Sequence, residues 1–172
     1  MDLGVTERLR PLLDAVQTFI DERVQPVDKE FLAEVGKGDR WSLTARQHEI
    51  LDDLKSAARE QNLWNFWLTD SESGYGLTTV EYAYLAEATG RSHLAAEAFN
   101  CSAPDTGNME VLERYGTEEQ KKQWLEPLLN GEIRSAYAMS EPDVASTDAT
   151  KNWVCAGEEY GARVINGVKT YK

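Results

Sequence analysis

"GTEEQKKQWLEPLLNGEIRSAYAMSEP", residues 116–142, holds two kinds of periodicity in a single run. Thr117 followed by Gln120 is a capping box, in which each side chain satisfies a backbone N–H left free at a helix start. Trp124, Leu125 and Leu128 then recur at helical spacing. From Ile133 the step changes. Ile133, Ser135, Tyr137 and Met139 fall on one face and smaller residues on the other, the period of a strand. The chain is expected to turn from helix to strand close to Glu132.

The same box stands upstream as Thr44 with Gln47, ahead of a stripe of Ile50, Leu51, Leu54 and Ala58. It stands again as Thr78 with Glu81, opening a helix through Val80, Tyr84, Leu85 and Ala88 that Gly90 is expected to end in a left-handed conformation. An earlier helix carries Val5, Leu9, Leu12, Val16, Phe19 and Ile20 on one face, with Pro11 near its start and Pro26 marking its end. Residues 95–99 and 109–115 read as short helical segments, the second closed by Gly116, and residues 71–78, "SESGYGLT", as a glycine-containing connector. Farther on, "ARVINGVKTYK" sets Asn166-Gly167 between two β-prone runs, the composition of a tight hairpin turn.

The fold expected is therefore mainly α, a helical bundle over residues 1–132 followed by the first strands of an incomplete β-domain over residues 133–172. A few strands without partners would leave open edges that another chain can pair with. Residues 145–172 are accordingly expected to be mobile, or ordered only through contacts with another molecule.

A chain of 172 residues is long enough for one buried core, and 41% hydrophobic with 28% charged residues is the composition of a globular protein. The net charge of −12 argues against a nucleic acid partner, since phosphate binding is driven by Lys and Arg. No apolar run approaches the roughly 20 residues that span a bilayer, and the N-terminus lacks the apolar core of a signal peptide, so a cytoplasmic location is expected. Cys101, Cys155, His48 and His93 are isolated and form no metal-ligand spacing.

Chemistry is concentrated in "YAMSEPDVAST", residues 137–147. Pro142 fixes its own φ and pushes Glu141 into an extended conformation, so Ser140-Glu141-Pro142-Asp143 should form a stiff corner. The hydroxyls of Ser140, Ser146 and Thr147, with nearby backbone N–H groups, are a donor set suited to a planar heterocycle and a pyrophosphate. By residue type alone, a plain serine-rich turn is the favoured reading.

"YAMSEPDVASTDAT", residues 137–150, resembles the flavin-binding signature of the acyl-CoA dehydrogenases. Residues 99–142 are similar to one branch of that family, and "VINGVKTY", residues 164–171, resembles its Asn-Gly hairpin. The resemblance implies a helical N-terminal domain leading into a β-domain, with FAD as cofactor and α,β-dehydrogenation of an acyl-CoA thioester as the activity. It implies that Tyr137, Met139 and Ser140 flank the flavin, that Ser146 lies near the cofactor pyrophosphate and the acyl-CoA, and that Tyr171 stands where the family usually has a tryptophan. The family's catalytic glutamate comes from a C-terminal bundle with no counterpart in this sequence, so no catalytic residue is assigned. Glu141 belongs to the turn.

The expectation is thus an N-terminal portion of a dehydrogenase, inactive by itself and binding FAD weakly or not at all. A reading of another class is a non-enzymatic helical module that self-associates, or pairs with a full-length relative, through its open strand edges.

Overall fold

The structure, a computed structural model, describes residues 4–39, 41–68, 74–144, 148–159 and 161–170. The chain divides into two compact units, Met1–Ser135 and Ala136–Lys172.

The first unit is helical. Helix α1 (Arg10–Phe19) runs through a π turn (Ile20–Val24) into α2 (Gln25–Ala33), followed by α3 (Ala45–Glu60), α4 (Thr79–Thr89), α5 (Ala95–Ala98) and α6 (Asp105–Tyr115). A single turn α7 (Glu118–Gln120) leads through a second π turn (Lys121–Leu125) into α8 (Glu126–Leu129). All three capping boxes form. Thr44 accepts from Gln47 N–H, Thr78 from Glu81 N–H and Thr117 from Gln120 N–H, and each partner side chain accepts from the N–H of its threonine.

The core collects the apolar stripes of these helices. Leu9, Leu13, Val16, Phe19, Ile20 and Val24 are buried along the first helix, and Ile50, Leu51, Leu54 and Ala58 along α3. Leu12 is only half-buried, its place in the stripe taken by Leu13. At the centre Phe99 packs against Phe19 and Phe66, with ring centroids 5.2 Å apart in both pairs.

Four local expectations are corrected. Pro26 does not end the first helix. The π turn just before it lets the helix continue to Ala33, because a ladder that is already changing step loses little by meeting a residue without an N–H. Gly90 is right-handed, with φ −62°, and the chain leaves α4 through further i→i+3 turns, Arg91 N–H to Ala88 O and Ser92 N–H to Thr89 O. Helix α6 begins at Asp105 rather than near Met109, absorbing Gly107, because the Asp105 side chain is anchored at its start. Residues 133–140 join no sheet among the described residues, since no strand lies beside them. Their last residue accepts one backbone bond, Thr170 N–H to Ser140 O, at 2.7 Å.

The second unit contains a hairpin of β1 (Cys155–Glu159) and β2 (Ala162–Asn166), antiparallel with Cys155 opposite Asn166 and Glu159 opposite Ala162. The turn between them carries Gly161 at φ 78°, so the hairpin turns there and not at Asn166-Gly167. Gly167 has a different task. A Cβ on it would stand 2.3 Å from Val154 Cγ2, so only glycine allows the two segments to pass this closely. Residues 148–159 and 161–170 are thus tied together by bonds within the chain, while residues 145–147, 160, 171 and 172 of the stretch 145–172 lie outside the described residues.

Candidate functional site

The helical unit ends on a charged knot. Lys55 and Arg134 both reach Glu97 Oε1 at 2.6 Å, and Arg134 Nε reaches Asp105 Oδ2 at 2.6 Å. Burial opposes ionisation of Glu97, yet the two cations outweigh it and its pKa lies below the ordinary carboxylate value. Asp105, buried, also accepts from Ser135 N–H at 2.7 Å and from its hydroxyl at 2.5 Å. Asn108 Nδ2 donates to the same hydroxyl at 2.8 Å. The residues that lead into "YAMSEP" are therefore fixed by side chains from three helices.

In the second unit, Tyr137 is exposed, Met139 and Ser140 are half-buried, and Glu141 is buried. Glu141 is the anchor of the turn. Its oxygens accept from Trp153 N–H at 2.7 Å, from Val154 N–H at 3.0 Å and from Lys169 Nζ at 2.8 Å. The Lys169 ammonium, then the two backbone donors, hold its pKa down to about 2 against the opposing effect of burial. A carboxylate so firmly ionised is a poor general base at neutral pH, where the useful pKa lies near the operating value. Beside the turn lies a cleft of about 360 Å³ lined by Glu141, Pro142, Asp143, Trp153, Val154 and Gly167 among others.

Of the residues proposed from the sequence, Tyr137, Met139 and Ser140 lie in one run directly before the anchored corner. Ser146 and Tyr171 lie outside the described residues. Sequence reasoning missed Lys169, Trp153 and Val154 as partners of Glu141. Lys169 stands 28 residues from Glu141, and no local pattern announces such a pair. No group of three or more His, Cys, Asp or Glu among the described residues is placed to hold a metal, and no helix among them is long and apolar enough to cross a membrane.

The family model described as "Acyl-CoA dehydrogenase, N-terminal domain" matches residues 6–132. The chain belongs to the acyl-CoA dehydrogenase family. It is 49% identical over 171 residues to mouse (Mus musculus) acyl-CoA dehydrogenase family member 10, covering 96% of this chain and 16% of that protein. It is 48% identical over 155 residues to chicken (Gallus gallus) acyl-CoA dehydrogenase family member 11, covering 90% of this chain and 19% of that protein. A solved chain from Mycobacterium abscessus, assigned to the acyl-CoA dehydrogenases, superposes with a TM-score of 0.86 at 48% identity, covering 96% of this chain and 42% of its own. The chain thus spans less than half the length of these acyl-CoA dehydrogenase relatives. Its architecture is that of the family's helical N-terminal domain followed by the start of the β-domain.

Proposed function

We propose that this chain is the N-terminal portion of an FAD-dependent acyl-CoA dehydrogenase, a protein that converts a fatty acyl-CoA thioester to its α,β-unsaturated form. The family match over residues 6–132, running directly into the fixed corner at Ser140–Pro142, is the observation that carries this reading. FAD, when bound, supplies the hydride-accepting chemistry.

The residues present fit a flavin. An exposed tyrosine ring, a half-buried thioether and a half-buried hydroxyl follow one another along a backbone that Glu141 holds still. Tyr137 and Met139 would pack along the heterocycle, and the Ser140 hydroxyl would donate to it where negative charge develops. Ser146 is proposed to lie near the pyrophosphate and the acyl-CoA, and Tyr171 against the flavin. Glu141 is saturated with donors and is assigned to the scaffold. No residue of this chain is assigned the removal of the α-proton.

The test is product identification. The natural protein carrying this sequence, in full, is incubated with saturated acyl-CoA thioesters and a dye acceptor. A thioester lighter by two hydrogens, formed with dye reduction, is the expected product. A hydrolysed or unchanged thioester across the series would sink the reading.

Among the described residues β1 and β2 pair only with each other, and their outer edges support a second reading, pairing with another copy or a full-length relative. A mass by light scattering that stays monomeric at high concentration would remove it.

A further inference from the structure

Three short segments of the second unit converge on the Glu141 carboxylate, which the Lys169 ammonium meets from one side and two backbone N–H groups from another. Lys169 Nζ donates to Met139 O at 3.1 Å and to Glu141 Oε1 at 2.8 Å. The next residue, Thr170, donates its N–H to Ser140 O at 2.7 Å. Glu141 completes the junction by accepting from Trp153 and Val154, and Val154 in turn lies against Gly167.

Stability alone is a weak reason for such a pair. The Glu141 side chain is only 4% exposed, and a buried ion pair is often no more stabilising than apolar residues of similar volume. An apolar pair would, however, leave Met139 O and the N–H groups of Trp153 and Val154 without these partners. The ionic pair adds geometry, because an ammonium offers three directed donors and a carboxylate several acceptor sites. Here they fix the carbonyl of Met139 relative to residue 169, while the neighbouring backbone bond fixes Ser140 relative to residue 170.

We infer that Lys169 is a positioning residue for the cofactor site, registering the run Tyr137–Ser140 against the segment that leads into Tyr171. The inference rests on the function proposed above. Lys169 acts through the Met139 carbonyl and the Glu141 carboxylate, and its amine, engaged by both, is not a catalytic group. Replacement by methionine keeps the aliphatic stem and removes both bonds. Replacement by arginine keeps a positive charge and several N–H donors on a longer side chain.

The experiment uses the full natural protein and compares Lys169→Met with Lys169→Arg. Readouts are the FAD dissociation constant by flavin fluorescence, the shape of the bound flavin's visible absorption band, and the Tm of the apoprotein. Loss of a hydrogen bond to a charged group shifts an equilibrium constant by roughly 10- to 100-fold. Lys169→Met is therefore expected to weaken FAD binding by roughly 10- to 100-fold and to change the band, with Lys169→Arg restoring most of both. An unchanged dissociation constant and band in a folded Lys169→Met protein overturns the inference. So does a loss of FAD that only tracks a lower Tm and is not rescued by arginine. Should Lys169→Met fail to fold, Glu141→Gln, which keeps the shape and removes the charge, is read by the same criteria. A wild-type protein that binds no FAD defeats the proposed function itself, a result distinct from a wild type that binds and a variant that binds equally well.

Discussion

Gln25 donates its backbone N–H to the carbonyl of Ile20, five residues back rather than four, and Pro26 follows immediately. The arrangement is repeated in the same unit. Glu126 donates to Lys121 O across the second π turn, and Pro127 comes next. In a regular α-helix an interior proline both lacks the N–H for the i−4 carbonyl and presses its ring on that carbonyl. A π turn holds one extra residue, so the ladder must change step as it ends. A residue with no N–H is well suited to that place. Two helices that a proline would otherwise break thereby continue through "IDERVQP" and "KKQWLEP", residues 20–26 and 121–127.

Deleting Glu22, an exposed residue of the first π turn, restores plain α spacing and leaves Pro26 inside it. A loss of about 3 kcal/mol is expected, the usual effect of an interior proline. Adding Pro26→Ala to the deletion should recover most of that loss. Urea unfolding of the single and double variants measures both, and equal stability of the two would refute the explanation.

Glu81 is buried at the start of α4, accepts from Thr6 Oγ1 at 2.7 Å and from Thr78 N–H at 2.9 Å, and is gripped by Arg8. The Arg8 guanidinium first, then the Thr78 N–H, lower its pKa from 4.5 to about 2. Between those values the unfolded chain binds more protons than the folded one. This contribution is therefore complete above about pH 4.5 and is lost as the pH falls toward 2. Glu81→Gln should flatten the acid limb of a stability-against-pH curve without abolishing it, because Glu141 is depressed in the same direction. An unchanged acid limb would count against the Arg8–Glu81 contact.

Asp105→Ala removes the acceptor of Ser135 N–H and the partner of Arg134 Nε. The expected destabilisation is about 1–3 kcal/mol, the usual effect of leaving a buried donor unmade. Breaking the surface pair Lys121–Glu118, 3.5 Å apart with Glu118 89% exposed, should stay within about 0.5 kcal/mol. Chemical denaturation distinguishes them, and comparable effects would contradict the anchoring role of Asp105.

Gly167→Ala drives a methyl group into Val154. Faster amide exchange at Trp153 and Val154 is expected, since their bonds to Glu141 depend on the same close passage. Val154→Ala should partly relieve it. Unaltered exchange in Gly167→Ala would show that the passage is not tight.

The helical unit was legible where its determinants are local. A capping box lies within four residues, and the stripe of Ile50, Leu51, Leu54 and Ala58 needs only the period of a helix. Pro26 misled because the rule that a proline stops a helix assumes a constant step, which the π turn breaks. Asn166-Gly167 has the composition of a hairpin turn, but the register of β1 against β2 places the turn at Gly161 and leaves Gly167 to the approach of Val154. At the candidate site, Tyr137, Met139 and Ser140 were readable as one run, whereas Lys169 was not, because its partners come from residues about 30 positions away.

The central claim is tested most directly by adding a saturated acyl-CoA, without oxygen, to the full natural protein carrying this sequence after purification with FAD. Stoichiometric bleaching of the flavin's visible absorption, with the matching enoyl-CoA as product, is the predicted result. A protein that binds no flavin, or a bound flavin that keeps its colour with every acyl-CoA tried, would contradict it.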